Sequence, residues 1–251
     1  MLITSKDNQT IKNIRKIKEK RTNQFIVEGI KMVKEAISEK QDIDLIVVLE
    51  NTKIDFDISN YKSIEVTKNV FETLTDVVTP QGILAVINKH NQDFKIDFNN
   101  DYFIALDNIQ DPGNLGTIIR TCDAAGIKQI IVTKNTVNAF SSKVIRSTMG
   151  SIFRVQIIES ENLEDTFNEF KKNEFQIVST ALDATKSIYD VDYNKKVVVI
   201  GNEANGVEKN IQGMSDIRVK IPMLGKAESL NAAVATSIMI YEKVRQKLDI
   251  K

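Results

Sequence analysis

Three stretches of this chain carry side chains suited to chemistry, and each sits where an apolar strand gives way to a loop and then a helix. In LDNIQDPGNLGTIIR (Leu106 to Arg120), Asn114 offers a donor and an acceptor, and Arg120 a cation fit to stabilise a developing anion. In VVVIGNEANGV (Val197 to Val207), one carboxylate, Glu203, stands among amides and glycines. In VKIPMLGKAESLNAAVA (Val219 to Ala235), Ser229 and Asn231 precede a helix rich in small residues. Ligands of open α/β sheets bind beyond the carboxyl ends of strands, so these loops lie where a site would be built.

Each stretch also has a plain structural reading. Pro112 and Gly113 shape a turn, Asn114 is expected to cap the helix, and Gly116 admits a close backbone neighbour. Gly201 permits close approach by a flat ligand, Glu203 can be an acidic residue ahead of a helix, and Ser229 can cap the final helix. The glycines do not follow G-x-G-x-x-G, and no Gly-Lys-Ser/Thr ending follows them, so nicotinamide and nucleoside-triphosphate chemistry lose support.

The elements needed to position these loops are legible as periodic patterns. Residues 1–95 predict a small α/β unit: a helix over Asn8–Lys20, strands Phe25–Val27, Leu45–Leu49, Ser63–Thr67 and Gly82–Ile87, and helices Lys31–Ser38 and Val70–Leu74. The polar stretch HNQDFKIDFNND (His90 to Asp101) reads as a linker, with the boundary near residue 95. Residues 96–251 predict strands Tyr102–Leu106, Gln129–Thr133, Phe153–Ile158, Gln176–Thr180, Val197–Ile200 and Ile217–Ile221. Helices Gly116–Ala125, Ser141–Met149, Leu163–Lys171 and Ser229 to about Leu248 separate or follow them. Alternation of this kind predicts an α/β fold with a mostly parallel sheet and helices on both faces.

Composition narrows the classes. Thirty-four Lys and Arg balance 34 Asp and Glu, which argues against coating nucleic acid by bulk charge and leaves local patches to do it. One such patch is Lys6, Lys12, Arg15, Lys16, Lys18, Lys20 and Arg21, which reads equally as a solvated helix face. Cys122 and His90 are single, so a zinc site, an internal disulfide and histidine-based catalysis are not expected. No apolar run approaches the roughly 20 residues of a membrane span, and the N-terminus lacks a secretory pattern, so a cytoplasmic location is expected.

In their order, DNIQDPGNLGTIIRTCDAAG (Asp107 to Gly126), IGNEANGV (Ile200 to Val207) and IPMLGKAESLNAAVA (Ile221 to Ala235) resemble the three motifs of the SpoU family of RNA 2′-O-ribose methyltransferases, within the SPOUT superfamily. SSKVIRSTMGSIFRV (Ser141 to Val155) is similar to the family as well. FIVEGIKMVKEAI (Phe25 to Ile37) and TPQGILAVI (Thr79 to Ile87) resemble, more loosely, a substrate-binding domain of ribosomal-protein type. The resemblance implies a deep trefoil knot in residues 96–251, an RNA-binding domain in residues 1–95, a homodimer, and S-adenosylmethionine as cofactor. It implies that Thr180, Gly201, Ile221 and Leu230 line the cofactor pocket.

Asn114, Arg120, Glu203, Ser229 and Asn231 become the expected catalytic set. A guanidinium stays protonated in nearly all protein settings, so Arg120 is expected to stabilise a developing alkoxide rather than act as a base. Asn114 is expected to orient Arg120 or the ribose, and Glu203 to hold Arg120 or Asn231. Structured RNA is the expected partner, 23S ribosomal RNA ahead of transfer RNA, and a non-catalytic RNA-binding or ribosome-assembly protein is the alternative from another class.

Overall fold

The structure, a computed structural model, describes residues 2–89 and 95–248; part of the expected linker, 90–94, lies outside the described residues. The chain divides into two compact units, Met1–Asp93 with Phe140–Phe153, and Phe94–Ala139 with Arg154–Lys251.

The first unit begins with β1 (Leu2–Ile3), α1 (Gln9–Glu19), β2 (Gln24–Glu28), α2 (Ile30–Ser38), β3 (Ile43–Leu49), β4 (Ser63–Val66), α3 (Lys68–Phe71) and β5 (Ile83–Asn88). Asn8 caps α1 by accepting from the amide of Thr10 at 2.9 Å. The sheet order is β1-β4-β3-β5-β2, with β5 antiparallel to both β3 and β2. Side chains alternate across β5. Leu84 and Val86 pack with Ile11, Ile14 and Phe71, whereas Ile83, Ala85 and Ile87 pack with Phe25, Val33 and Ala36. A strand buried on both faces reads as a continuous apolar run, as ILAVI does.

The second unit opens with β6 (Tyr102–Leu106), α4 (Pro112–Ala124) and β7 (Gln129–Thr133). The chain then supplies α5 (Ser142–Thr148) to the first unit, where Ile145 is buried with Phe25 and Ile87 and the Phe140 ring lies 5.0 Å from that of Phe25. It returns through β8 (Gln156–Ser160), α6 (Leu163–Lys172), β9 (Gln176–Thr180), β10 (Lys186–Ser187), β11 (Lys196–Ile200), α7 (Lys209–Met214), β12 (Ile217–Lys220) and α8 (Ala232–Lys247). The strand expected over Phe153–Ile158 is displaced: Ser151–Phe153 forms a single 3-10 turn, and pairing with β7 begins at Gln156.

The seven strands run β10-β12-β9-β11-β6-β7-β8, and every pairing is parallel. Phe103, Ala105, Val197 and Val199 face α6 and α7 in one core layer with Phe167, Phe170 and Ile211. The alternate residue Tyr102 turns the other way, and its hydroxyl donates to the Met239 carbonyl of α8 at 3.3 Å. Helices therefore cover both faces, which buries both sides of the parallel sheet. Among the described residues, no helix is long and apolar enough to cross a membrane.

Candidate active site

The loop after β6 is built around two local choices. Asp111, not Asn114, is the N-cap of α4: its Oδ1 accepts from the Asn114 amide at 2.8 Å, and Pro112 follows with its φ already set for a helix. The expected cap therefore lies within the first turn, and its side chain is free for tertiary contacts. Asn114 uses both ends of its amide. Nδ2 donates to Glu203 Oε1 at 2.8 Å, and Oδ1 accepts from Asn231 Nδ2 at 2.9 Å.

Asn231, rather than Ser229, caps α8, its Oδ1 accepting from the amides of Ala233 and Val234 at 2.9 and 3.3 Å. The helix begins at Ala232, so Ser229 lies upstream in the loop. A chain of three side chains, Glu203, Asn114 and Asn231, thus ties the three sequence motifs together. Glu203 reaches Asn231 only through Asn114, and among the described residues it makes no bond to Arg120.

Burial raises the pKa of Glu203, but the hydrogen bond from Asn114 and the amides of Gln110 and Asp111 outweigh it and hold the carboxyl below its ordinary range. It is an ionised acceptor and a weak base at neutral pH. Arg120, further along α4, is exposed, and among the described residues its guanidinium has no hydrogen-bond or ion-pair partner. Asn114 does not touch it, so the expectation that Asn114 or Glu203 orients Arg120 is not met by the geometry.

A cavity of about 400 Å³ opens beyond the ends of β9, β11 and β12. Thr180, Gly201, Ile221 and Leu230 all line it, together with Glu203 and Ser229. Thr180 Oγ1 donates to the Val199 carbonyl at 3.3 Å. Gly201 has a second part besides lining the cavity. A Cβ there would lie 2.0 Å from both the carbonyl carbon of Gly206 and the amide nitrogen of Val207, so the missing side chain serves the tight return of residues 202–206. That return is closed by paired backbone bonds between Asn202 and Gly206 at 3.0 and 2.9 Å.

Asn202 was not among the expected site residues, although its place directly after Gly201 in the motif was the available signal. Its Nδ2 donates to the Asn108 carbonyl at 2.9 Å and its Oδ1 accepts from the Ala204 amide at 2.8 Å, which locks the second motif onto the first. Asn108 itself takes a positive φ of 60°, a conformation that asparagine tolerates better than most residues.

The family model for the SpoU rRNA methylase family matches residues 101–241. The chain belongs to that family. A model for the MRM3-like substrate binding domain matches residues 8–85. Among curated relatives, the 23S rRNA (guanosine(2553)-2'-O)-methyltransferase RlmP of Bacillus subtilis is 33% identical over 245 residues, 95% of this chain and 97% of its own. The AdoMet-bound rRNA methyltransferase of Sinorhizobium meliloti is 31% identical, with a TM-score of 0.85 over 99% of this chain and 98% of that one. A putative RNA methyltransferase of the TrmH family from Porphyromonas gingivalis is 28% identical, with a TM-score of 0.83 over 94% and 97%.

Membership of the SpoU rRNA methylase family makes this protein an RNA methyltransferase. Its cavity suits a cofactor that is part flat ring and part charged amino acid. Ile221 and Leu230 give apolar walls, and Glu203 gives a negative charge.

Proposed function

We propose that the protein transfers a methyl group from S-adenosylmethionine to a ribose 2′-hydroxyl of 23S ribosomal RNA. The observation that carries this reading is the Glu203–Asn114–Asn231 chain, which reaches the wall of the cofactor-sized cavity through Glu203. The cofactor supplies an electrophilic methyl on a sulfonium. Thr180, Gly201, Ile221 and Leu230 would hold it, with Ser229 on the polar side.

A ribose hydroxyl yields little alkoxide at neutral pH, so the protein must position it and favour its ionisation. Arg120, unengaged within the described chain, is the group that stabilises the developing alkoxide. Asn114 and Asn231 fix the loop that faces the ribose, and Glu203 keeps both amides oriented. The B. subtilis relative's name specifies 23S rRNA, and its match spans nearly the whole of both chains, which favours the same class of substrate here.

Residues 1–95 bind the RNA in this reading, with the exposed Lys16 and Lys20 at the end of α1 available to phosphates. Two copies associate through α8, where Val234 and Tyr241 lie seven residues apart on one face and are 48% and 50% exposed. The region from β11 through α8 is threaded as a trefoil knot, and the enzyme works in the cytoplasm.

The test is incubation with labelled S-adenosylmethionine and separate pools of unmodified 23S rRNA and tRNA, followed by mapping of 2′-O-methyl nucleotides by mass spectrometry. Label in 23S rRNA is expected. Label in tRNA alone overturns the substrate, and none in either pool overturns the activity for those RNAs. Arg120→Ala should lower kcat by roughly 10² to 10³-fold, the scale for removing one stabilising donor. Cofactor affinity should hold within twofold, and a parent-like rate removes Arg120 from the mechanism.

A further inference from the structure

Gln110 lies in the loop between β6 and α4 and is exposed, yet its side-chain amide is bound through both hydrogens. Nε2 donates to Asn108 Oδ1 at 2.5 Å and to the Asn135 carbonyl at 2.7 Å. The second acceptor is a main-chain oxygen, so only the nitrogen end of the amide can face it.

Asn135 directly follows the end of β7, and further bonds join the same two loops. The Asn108 amide donates to Thr133 Oγ1 at 2.9 Å, and the Val137 amide donates to the Ile109 carbonyl at 2.9 Å. Asn202 of the second motif donates to the Asn108 carbonyl. Residues 108–110 are therefore fastened to β7 and to the second motif, and Gln110 supplies the side-chain clamp between the first of these loops and the other.

The clamp matters because of the amides beside it. The Gln110 and Asp111 N–H groups donate to Glu203 Oε2 and Oε1, both at 3.4 Å. Contacts of that length are weak, so they do not hold the loop by themselves. Glu203 is also the acceptor for Asn114 Nδ2, at 2.8 Å, and so the acidic end of the chain that runs on to Asn231. Where its carboxylate points depends on where the 108–111 loop is held.

We infer that Gln110 is a positioning residue for methyl transfer, its two side-chain bonds holding the loop so that the Gln110 and Asp111 amides keep Glu203 aimed at Asn114. This rests on the reading above in which the Glu203–Asn114–Asn231 chain serves the reaction. Gln110 does not line the cofactor cavity, so it acts through Glu203 and not on the cofactor. An exposed amide adds little to stability, whereas a misplacement of about 1 Å in a reacting constellation can cost about 10²-fold in rate.

The test uses the full chain and the RNA that the parent labels with S-adenosylmethionine. Gln110→Met keeps the length of the side chain and removes both donors, and Gln110→Arg restores donors on a side chain long enough to reach the same acceptors. Gln110→Met should lower kcat about 10-fold, with KM for RNA and the Kd for S-adenosylmethionine within about twofold of the parent and Tm within about 2 °C. Gln110→Arg should return kcat to within about threefold of the parent. A Gln110→Met loss confined to KM for RNA makes the side chain an RNA contact and overturns the inference. So does a loss that Gln110→Arg does not recover, or one accompanied by a clearly lower Tm. Asn114→Ala, measured alongside, separates the two readings. If it lowers kcat while Gln110→Met keeps the parent rate, only this inference is lost. Parent-like rates in both variants remove the Glu203–Asn114–Asn231 chain from the reaction and Gln110 with it, and a parent that labels no RNA removes the activity on which both depend.

Discussion

Replacing Asn114 by Asp is a nearly isosteric change that puts an oxygen where Nδ2 now donates to Glu203 at 2.8 Å. Two costs follow at neutral pH. A hydrogen bond to a charged group is lost, worth about 1.5–3 kcal/mol. Two carboxylates then face each other at about the same separation, where 332/(ε·r) gives about 6 kcal/mol at an effective ε of 20 and about 1.5 kcal/mol in water. Glu203 is exposed, so the lower half of that range applies.

Protonation of one carboxyl sets a ceiling on the repulsion. Taking up a proton at pH 7 costs a group of ordinary pKa near 4 about 4 kcal/mol, and at pH 5 only about 1.4 kcal/mol. The expected net loss is therefore about 3–5 kcal/mol at pH 7, shrinking toward the hydrogen-bond loss alone near pH 5. Asn114→Ala serves as the control, because it loses the bond without adding a charge. Urea denaturation of both variants and the parent between about pH 5 and pH 8 reads the difference. The stability gap between Asn114→Asp and Asn114→Ala should close as pH falls. Equal gaps at pH 5 and pH 8 would refute the assignment of Nδ2 to the Glu203 side, and with it the chain through Asn114 to Asn231.

Two further outcomes test the cofactor cavity and the association of copies. Leu230→Ala removes an apolar wall from a residue 36% exposed before any ligand binds, so cofactor affinity should fall about 5- to 10-fold, or roughly 1 kcal/mol, by calorimetry; unchanged affinity would remove Leu230 from the pocket. Tyr241→Glu places a charge on the exposed apolar face of α8 and should shift a dimer to monomer in sedimentation analysis, and a parent that already sediments as a monomer would dismiss that face as an interface.

Strands were the legible part of the fold because burial on both faces leaves a simple mark. YFIAL, QIIVT and KVVVI each hold an unbroken apolar run of three to five residues, and each is an interior strand of the parallel sheet. The departure of α5 into the first unit was not legible. Its helix pattern is local, but its burial depends on Ile145 meeting Phe25 and Ile87, partners far away in sequence. The polar α7 was missed for a related reason: six residues with one buried position, Ile211, give too little periodicity to read.

The site residues were legible by type and motif, and their partners were not. Asp, Asn and Ser are nearly equal as helix caps, so local preference cannot decide between Asp111 and Asn114, or between Ser229 and Asn231. The fold decides. Because Asp111 and Pro112 start α4 early, Asn114 is released to bridge Glu203 and Asn231. Because Asn231 caps α8 with Oδ1, its Nδ2 is left to face Asn114. Two helix starts are thereby joined by one amide–amide bond, with Glu203 setting its direction: a carboxylate accepts only, so Asn114 must turn Nδ2 toward it and offer Oδ1 to Asn231. The carboxylate expected to hold Arg120 or Asn231 bonds to Asn114 instead, and through it fixes which way both amides point.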